Sequence, residues 1–479
     1  MKGFMELLTD INGKVNDFVW VQVGLILLIG AGLLTTIVTK VFQISHLKHW
    51  WKKTIVSVFK KDAQKKEEGS VSQFQALCTA LAATIGTGNI AGVAAAIVIG
   101  GPGAVFWMWV TALIGGASAF IESTLAQLYK TKKDGQFRGG PSYYMEKALG
   151  KRWLGVLFSV LLIICFAYGF NGLQSYNMSS ALEYYIENYG NSIWPMVVGL
   201  VLAAATAFVI WGGVHRIGFI SSVVVPVMAL AYILMGFVTM ILHVTELPAM
   251  FAMILKEAFN VKAIMGGLAG SAVVVGIKRG LFSNEAGMGS APNASASADV
   301  DHPVKQGLVQ VISVFIDTIL ICSSTAIMLL VSGVEGQSGV LDGIPFVQKA
   351  ISANVGNWGI HFITFSIFAF AFSSLIGNYY YAESNIVFIK DNKVLMQVFR
   401  VTCIVAIFLG AQADFSLVWN LADVTMGLMA IVNIVVIFLL GNVAIKVLKD
   451  YETQKKQGKN PVFHEKNVGL TGTVWTEEK

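Results

Sequence analysis

The sequence predicts an all-α polytopic membrane protein with eleven transmembrane helices, and three observations lead to this fold class. Of the 479 residues, 55% are hydrophobic and only 13% are charged, whereas about 25% of the residues in a soluble domain are charged. Apolar runs long enough to cross about 30 Å of hydrocarbon recur along the chain. Lys and Arg are concentrated in alternate connections between these runs. The composition excludes a soluble enzyme, a disordered chain and a fibrous chain.

The eleven candidate spans set the predicted topology. They cover residues 18–39, 72–99, 102–129, 153–187, 193–211, 217–242, 263–300, 309–331, 358–389, 394–411 and 415–445. Of the 34 Lys and Arg residues, 27 lie in segments 40–71, 130–152, 212–216, 301–308, 390–400 and 446–479. Because positive charge gathers on the cytoplasmic side, we predict a multi-pass protein of the cell (plasma) membrane with an extracellular N-terminus and a cytoplasmic C-terminus. The net charge of +6 then reflects topology, and no nucleic-acid partner is expected.

The remaining composition is consistent with this class. All four cysteines lie in apolar runs without metal-ligand spacing, so neither a disulfide framework nor a zinc site is expected. The N-terminus lacks the features of a cleaved signal peptide. The charged segment after Lys446 is weakly patterned and is expected to be a flexible end.

Two spans contain helix-breaking sequences at their centres. Gly86, Thr87, Gly88 and Asn89 interrupt the second span, where unwound backbone is tolerated only if it is buried in protein or lines a cavity. A close helix contact through small residues is the alternative. The seventh span contains FSNEAGMG at residues 282–289. There the alternative is a helix that ends at Ile277 and a long cytoplasmic loop over residues 278–306.

The two breaks mark the starts of two equivalent blocks of helices. Each opens a block of five helices, as expected of inverted-repeat secondary transporters. The predicted parts are residues 1–41 (extracellular N-terminus and extra helix), 42–71 (basic cytoplasmic loop), 72–243 (first repeat), 244–262 (extracellular loop), 263–447 (second repeat) and 448–479 (cytoplasmic tail). Broken helices present amides to a carboxylate and carbonyls to a cation. This chemistry suits a zwitterion carried together with a cation.

Five ordered signatures resemble the alanine or glycine:cation symporters. They are FQALCTALAATIGTGNIAGVA (74–94), RGGPSYYMEKALG (138–150), RGLFSNEAGMGSAP (279–292), FIDTILICSSTA (315–326) and FAFSSLIGNYYYAESN (370–385). The resemblance covers nearly the whole chain. It implies a LeuT-type 5+5 inverted repeat with one extra N-terminal helix, and import of small neutral amino acids with sodium by alternating access.

The resemblance also implies a substrate site between the two breaks. The amides of Thr87 and Gly88 would hold the substrate carboxylate, and one face of the third core helix would reach the same site. The implied substrate-site residues are Thr87, Gly88, Asn89, Phe170, Gln174, Phe282, Ser283 and Asn284. For Asn171 and Gln174, hydrogen bonding that only joins helices is the alternative.

A sodium site follows from the resemblance in the same way. Its implied ligands are the carbonyls of Ala82, Ile85 and Phe370 and the hydroxyls of Ser373 and Ser374. Uncharged oxygens suit an ion that must bind and then leave, although adjacent serines in a helix often bond only to their own carbonyls. A second sodium site would need the Thr84 carbonyl, Asn89 and Ser283, and its occupancy stays open.

Ionisable residues inside spans are costly and should be paired or face water. The resemblance places Arg279 and Asp423 across the outer vestibule, where they are expected to form an extracellular gate; structural pairing with other buried acids is the alternative. Glu285, Asp317 and Glu383 also lie within spans. Glu285 is expected either to contact the substrate ammonium or to support the break.

Other functions fit the sequence less well. A channel needs a continuous pore, and an intramembrane enzyme needs a catalytic motif that the sequence lacks. Proton coupling and a larger substrate such as glutamine remain alternatives within the transporter class. The lipid bilayer and the amino acid are the expected partners, and no obligate protein partner is inferred.

Overall fold

The computed structural model describes residues 12–39, 73–133, 135–212, 214–260 and 271–476. The predicted basic loop 42–71 and residues 263–270 of the second repeat therefore lie outside the described residues. Within them the chain is mostly helical. The helices are α1 Asn12–Val38, α2 Gln73–Thr84, α3 Gly88–Gly100, α4 Gly103–Leu128, α5 Pro141–Lys147, α6 Arg152–Ser180, α7 Trp194–Ile210, α8 Val214–Leu242, α9 Leu247–Ala258, α10 Ala272–Asn284, α11 Pro292–Ser297, α12 Pro303–Leu330, α13 Gly343–Val355, α14 Trp358–Ile389, α15 Lys393–Gly410 and α16 Phe415–Lys456.

The bundle confirms the predicted fold class but not the predicted number of spans. Eight of the described helices are long and apolar enough to cross a membrane, and the bent pair α2 and α3 makes a ninth. The α7 helix has 17 residues, and the predicted span 263–300 contains two shorter helices, α10 and α11. The count of eleven is therefore not confirmed, because broken or short helices do not reach the length that a straight span needs.

The connections carry further structure. A two-stranded antiparallel sheet, with β1 at Thr131–Lys133 and β2 at Gln136–Arg138, precedes α5. In the predicted extracellular loop 244–262, α9 packs against α4. The Trp107 indole N–H donates to the Ala258 carbonyl at 3.0 Å, which fixes the end of α9.

The C-terminal segment differs from the expectation of a flexible end. Helix α16 continues to Lys456, and the chain beyond it packs against the bundle with Phe463 and Trp475 buried. Partners for these aromatic side chains come from distant parts of the chain, so the local sequence pattern could not reveal them.

Helices α2 and α3 lie at the centre of the bundle. Helix α2 packs against α8 and α14, and α3 packs against α10. Residues 77–96 are buried throughout. This packing places the first break inside the protein, away from lipid.

Candidate functional site

The first break lies where the sequence predicts it. Helix α2 ends at Thr84, α3 begins at Gly88, and the two are bent by 50°. The Gly86 amide donates to Asn89 Oδ1 at 2.9 Å, and the Thr87 amide donates to Gln174 Oε1 at 3.2 Å. The freed backbone amides are thus satisfied by side chains rather than by the helix. The alternative of a continuous helix in close contact is wrong.

The second break follows α10. Glu285 adopts a left-handed conformation (φ 56°), and Gly287 and Gly289 also have positive φ values, which glycine tolerates without strain. Residues 285–291 are non-helical and buried. The alternative of a helix ending at Ile277 and a long loop over residues 278–306 is wrong, because α10 continues to Asn284 and α11 and α12 begin before Gln306.

The two breaks contact each other directly. Asn89 Nδ2 donates to Ser283 Oγ at 2.9 Å and to Asp317 Oδ1 at 2.7 Å. The Ser283 hydroxyl donates to Asp317 Oδ2 at 2.6 Å. A Cβ placed on Gly88 would lie 3.0 Å from the Phe282 ring. The structure therefore brings Gly88, Asn89, Phe282 and Ser283 together around the buried carboxyl group of Asp317.

Helix α6 supplies the third side of the site. Besides accepting from Thr87, Gln174 lies close to Gly86, where an added Cβ would be 3.1 Å from its amide nitrogen. The Phe170 ring packs edge-on to Phe282, with 4.8 Å between ring centroids. Gln174 thus reaches the first break, while its contact with a substrate stays a prediction. Asn171 instead joins helices, because it accepts from Asn378 at 3.0 Å.

Asn284 lies at the edge of this arrangement. Its Nδ2 donates to the Thr318 hydroxyl at 3.1 Å, and its Oδ1 accepts from the Ala286 amide at 3.0 Å. These two bonds hold the end of α10 and the first turn of the break. Nearby, Glu285 accepts from the Ser290 hydroxyl at 2.5 Å, and this hydrogen bond supports the break.

The five oxygens of the predicted cation site converge between α2 and α14. Ser373 Oγ lies 3.4 Å from the Ala82 carbonyl oxygen and 2.8 Å from that of Phe370. Ser374 Oγ lies 3.2 Å from the Ile85 carbonyl oxygen and 3.1 Å from that of Phe370. The serines therefore do more than bond to their own helix. Three carbonyls and two hydroxyls, all buried, form a neutral oxygen cluster of the kind that hard cations bind.

A buried ion pair lies beside the second break. Arg279 makes two hydrogen bonds to the Asp423 carboxylate, at 2.8 and 2.9 Å. Lys278 approaches the same carboxylate at 2.9 Å. Arg279 and Asp423 are 3% and 1% exposed, so water screens this attraction little. The predicted gate residues are therefore in contact.

Sequence reasoning missed two residues of this region. Trp419 lies one helical turn before Asp423; its ring stacks under the Arg279 guanidinium at 4.3 Å and packs 5.3 Å from the Phe282 ring centroid. Glu122, fully buried on α4, accepts from the Gly287 amide at 3.0 Å and from Asn433 at 2.8 Å. A signal for Glu122 was present, because it is an ionisable residue within a candidate span.

Three buried polar atoms at the site, one of them Arg279 Nε, have no hydrogen-bond partner within the described residues. Within the part of the chain that the structure describes, neither the Thr87 hydroxyl nor the Trp419 indole nitrogen has a hydrogen-bond partner, and both are buried. Unsatisfied buried polar groups are rare in native proteins. Such atoms also occur elsewhere in the described bundle, for example at Thr206 and Tyr381, so these groups are donors that a ligand at the breaks could use and are not by themselves evidence of one.

The structure also shows the surroundings of the other ionisable residues that were predicted to lie within spans. Asp317 joins the two breaks through Asn89 and Ser283. Glu383 lies 3.7 Å from Arg400, away from the breaks.

Thr84, whose carbonyl was assigned to a second sodium site, uses its hydroxyl to donate to the Ala80 carbonyl. Asn89 and Ser283 of that second site are hydrogen-bonded to each other.

Comparison with solved structures supports the fold. A crystal structure of MhsT in complex with L-phenylalanine matches 86% of this chain and 95% of its own, with a TM-score of 0.52 at 16% identity. At a sequence identity this low, the match supports the fold and nothing about function. The architecture is that of the LeuT-type transporters.

Comparison with known sequences identifies the family. The model of the sodium:alanine symporter family matches residues 5–465. "Probable sodium/glutamine symporter GlnT" of Bacillus subtilis (strain 168) is 46% identical over 96% of this chain and 94% of its own. "Sodium/alanine symporter AgcS" of Methanococcus maripaludis is 39% identical over 95% of this chain and 100% of its own. With the two broken helices and their shared site, these matches show that the chain is a transporter, not an enzyme, and belongs to the sodium:alanine symporter family.

Proposed function

We propose that this chain is a sodium-coupled symporter that imports small neutral amino acids, alanine or glycine, by alternating access. The observation that carries the proposal is the convergence of five uncharged oxygens from Ala82, Ile85, Phe370, Ser373 and Ser374 beside the first break. Neutral oxygens bind sodium without holding it as tightly as carboxylates would, which suits an ion that is released in every cycle.

The region between the breaks supports a small zwitterionic substrate. In this structure the Gly86 and Thr87 amides donate to Asn89 and Gln174. A substrate carboxylate would replace these side chains as the acceptor, and the released Gln174 oxygen could then accept from the substrate ammonium without adding net charge. Phe170, Phe282 and Trp419 pack around the same place. These rings give the site an apolar lining, which suits a neutral amino acid.

Alternating access needs gates on both sides of the site. We propose that the Arg279 and Asp423 pair closes the outer side when the site is loaded. The charge distribution supports an extracellular N-terminus and a cytoplasmic C-terminus in the plasma membrane. Sodium that moves inward through 100 mV releases about 2.3 kcal/mol, and a tenfold gradient adds about 1.4 kcal/mol. One ion can thus drive accumulation of about several hundredfold.

The alternatives are a larger substrate and a different coupling ion. The relative at 46% identity is named for glutamine, and the one at 39% for alanine. Asp317 provides a buried carboxyl group between the breaks that a proton could occupy. A channel is disfavoured, because two different broken helices in one chain enclose a central site rather than a continuous pore.

Uptake into proteoliposomes tests the proposal. Labelled alanine, glycine and glutamine are supplied with an inward sodium gradient, with a proton gradient, or with neither. We expect sodium-dependent uptake of alanine and glycine. Uptake driven by protons alone, or preference for glutamine, would replace the proposed ion or substrate by the corresponding alternative.

The cation site is tested by replacing both Ser373 and Ser374 with alanine. Sodium dependence should be lost, because two of the five oxygens are removed. Ser366→Ala is the matched control: this serine is also buried on α14, but its hydroxyl makes no hydrogen bond within the described residues. Unchanged sodium dependence in the double variant would contradict the assignment of the site.

A further inference from the structure

The segment after α16 folds into a compact loop. Glu465 Oε2 accepts from both the amide and the hydroxyl of Thr473 at 2.7 Å, and the Glu465 amide donates to the Trp475 carbonyl at 3.0 Å. The Thr473 hydroxyl and amide bonds lower the pKa of the Glu465 carboxyl group. These contacts close the chain between residues 465 and 475 and present two aromatic side chains, Phe463 and Trp475, to the bundle.

Both aromatic side chains are inserted into the bundle. Trp475 is 5% exposed, and its indole N–H donates to the Gln127 carbonyl at 3.0 Å. Its ring also lies 4.9 Å from the Lys130 ammonium. Phe463 is 2% exposed, and its amide donates to the Asp301 carbonyl at 2.8 Å. A charged terminal segment that buries two large aromatic residues is docked rather than solvated.

The residues that receive the segment also hold the second broken helix. The Gln127 side chain donates to the carbonyls of Ser295 and Ala298 at 2.5 and 2.9 Å. The Lys130 ammonium donates to the Ala298 carbonyl at 2.8 Å. The end of α11 is therefore held by Gln127 and Lys130, the same two residues that Trp475 contacts.

The connection from α11 to α12 is held from the other side. His302 lies edge-on to the Phe463 ring, with centroids 5.2 Å apart, and its Nε2 is 3.2 Å from an oxygen of Asp450 on α16. The segment thus ties α4, the α11 to α12 connection and α16 together. Lys130, His302 and Asp450 lie in segments that the charge pattern assigns to the cytoplasm, and Gln127 and Ala298 lie within three residues of such segments.

We propose that residues 461–476 form a latch, which docks on the surface made by Gln127, Lys130, Asp301 and His302 and keeps the inner side of the transporter closed. The proposal rests on the proposed function, since it concerns the inner gate of the same site. In this proposal, α11 moves away from α4 when substrate is released to the cytoplasm. Because the latch binds only the arrangement in which α11 is held, it shifts the population towards inner-closed states.

Cysteine labelling from the inner side tests the latch without relying on transport. Ser297→Cys is introduced at the end of α11, where Ser297 is 5% exposed. The four native cysteines are all buried, so background labelling is low. Deletion of residues 460–479 should raise the labelling rate about tenfold, which corresponds to a loss of about 1.4 kcal/mol of stabilisation of the closed state. An unchanged labelling rate in the deletion would overturn the proposal.

A synthetic peptide and a point variant complete the test. A peptide of residues 459–479 should bind the deletion protein and restore slow labelling, whereas the same peptide with Trp475→Ala should do neither. Trp475→Ala in the full chain covers the case in which the deletion does not fold, and it should also speed labelling. Val462→Ala is the matched control, since Val462 is 43% exposed in the same segment. Equal labelling of the Trp475 and Val462 variants, or failure of the unmodified peptide to bind, would refute the latch even if sodium-dependent uptake is normal.

Discussion

Gly86 offers the most direct test of the cation site. A Cβ added at this position would lie 2.3 Å from Ser374 Oγ and 3.1 Å from the Gln174 amide nitrogen. Gly86 does not adopt a positive φ, so the backbone itself accepts alanine. The effect of Gly86→Ala is therefore a local collision with a proposed sodium ligand rather than backbone strain.

The size of the effect follows from the geometry. A carbon and an oxygen in contact need about 3.4 Å, so the Ser374 hydroxyl must move by about 1 Å. It then leaves the Ile85 and Phe370 carbonyls, from which it is 3.2 and 3.1 Å away. Losing one polar contact to a charged group costs about 1.5–3 kcal/mol. We expect the sodium concentration for half-maximal uptake to rise about 12-fold to 160-fold.

Sodium titration of alanine uptake measures this change, and sodium-dependent thermal stabilisation measures it without transport. Gly92→Ala, six residues further along the chain in α3, is the matched control, because its Cβ would find its nearest neighbour at an ordinary 3.6 Å. The melting temperature without sodium should stay close to that of the unsubstituted protein in both variants. If Gly86→Ala folds normally and keeps the original sodium half-saturation, the oxygen cluster is not the coupling site.

Three further perturbations follow from the described contacts. Asp423→Asn leaves Arg279 buried without a full counter-charge and should lower the free energy of unfolding by about 3–5 kcal/mol. Adding Arg279→Gln to this variant should restore part of the lost stability. An unchanged melting temperature of the Asp423 variant would contradict the pairing. Gln174→Ala removes the acceptor of the Thr87 amide and should weaken alanine binding about tenfold in equilibrium assays, whereas equal affinity would leave Gln174 outside the site. Burial lowers the pKa of His302, so the unfolded chain binds a proton more readily and stability should fall as pH drops below about 6.5. Melting curves at several pH values should show this loss, and His302→Gln should reduce it.

Local sequence was sufficient for the two breaks, whereas the proposed cation site also needed the resemblance to a known family. Glycine and threonine at the centre of an apolar run destabilise the helix wherever the run is placed, and α2 and α3 separate at Gly86 and Thr87 as predicted. The adjacent Ser373 and Ser374, together with the family pattern, identified the facing helix. Only the geometry, however, shows that the two hydroxyls reach the Ala82 and Ile85 carbonyls.

Other features depended on pairings that no local pattern encodes. Trp475 meets the Gln127 carbonyl across 348 residues of sequence, and Glu122 reaches the second break across 165. The exact ends of short helices such as α7 likewise depend on packing rather than on periodicity.

The sequence by itself determined that the chain lies in a membrane, which family it resembles and where its helices are interrupted, because apolar length and backbone preference act over a few turns. Only the tertiary structure decided which buried polar groups meet, including the docking of the C-terminal segment, because hydrogen-bond partners inside a helical bundle come from helices that are distant in sequence and are selected by shape and distance.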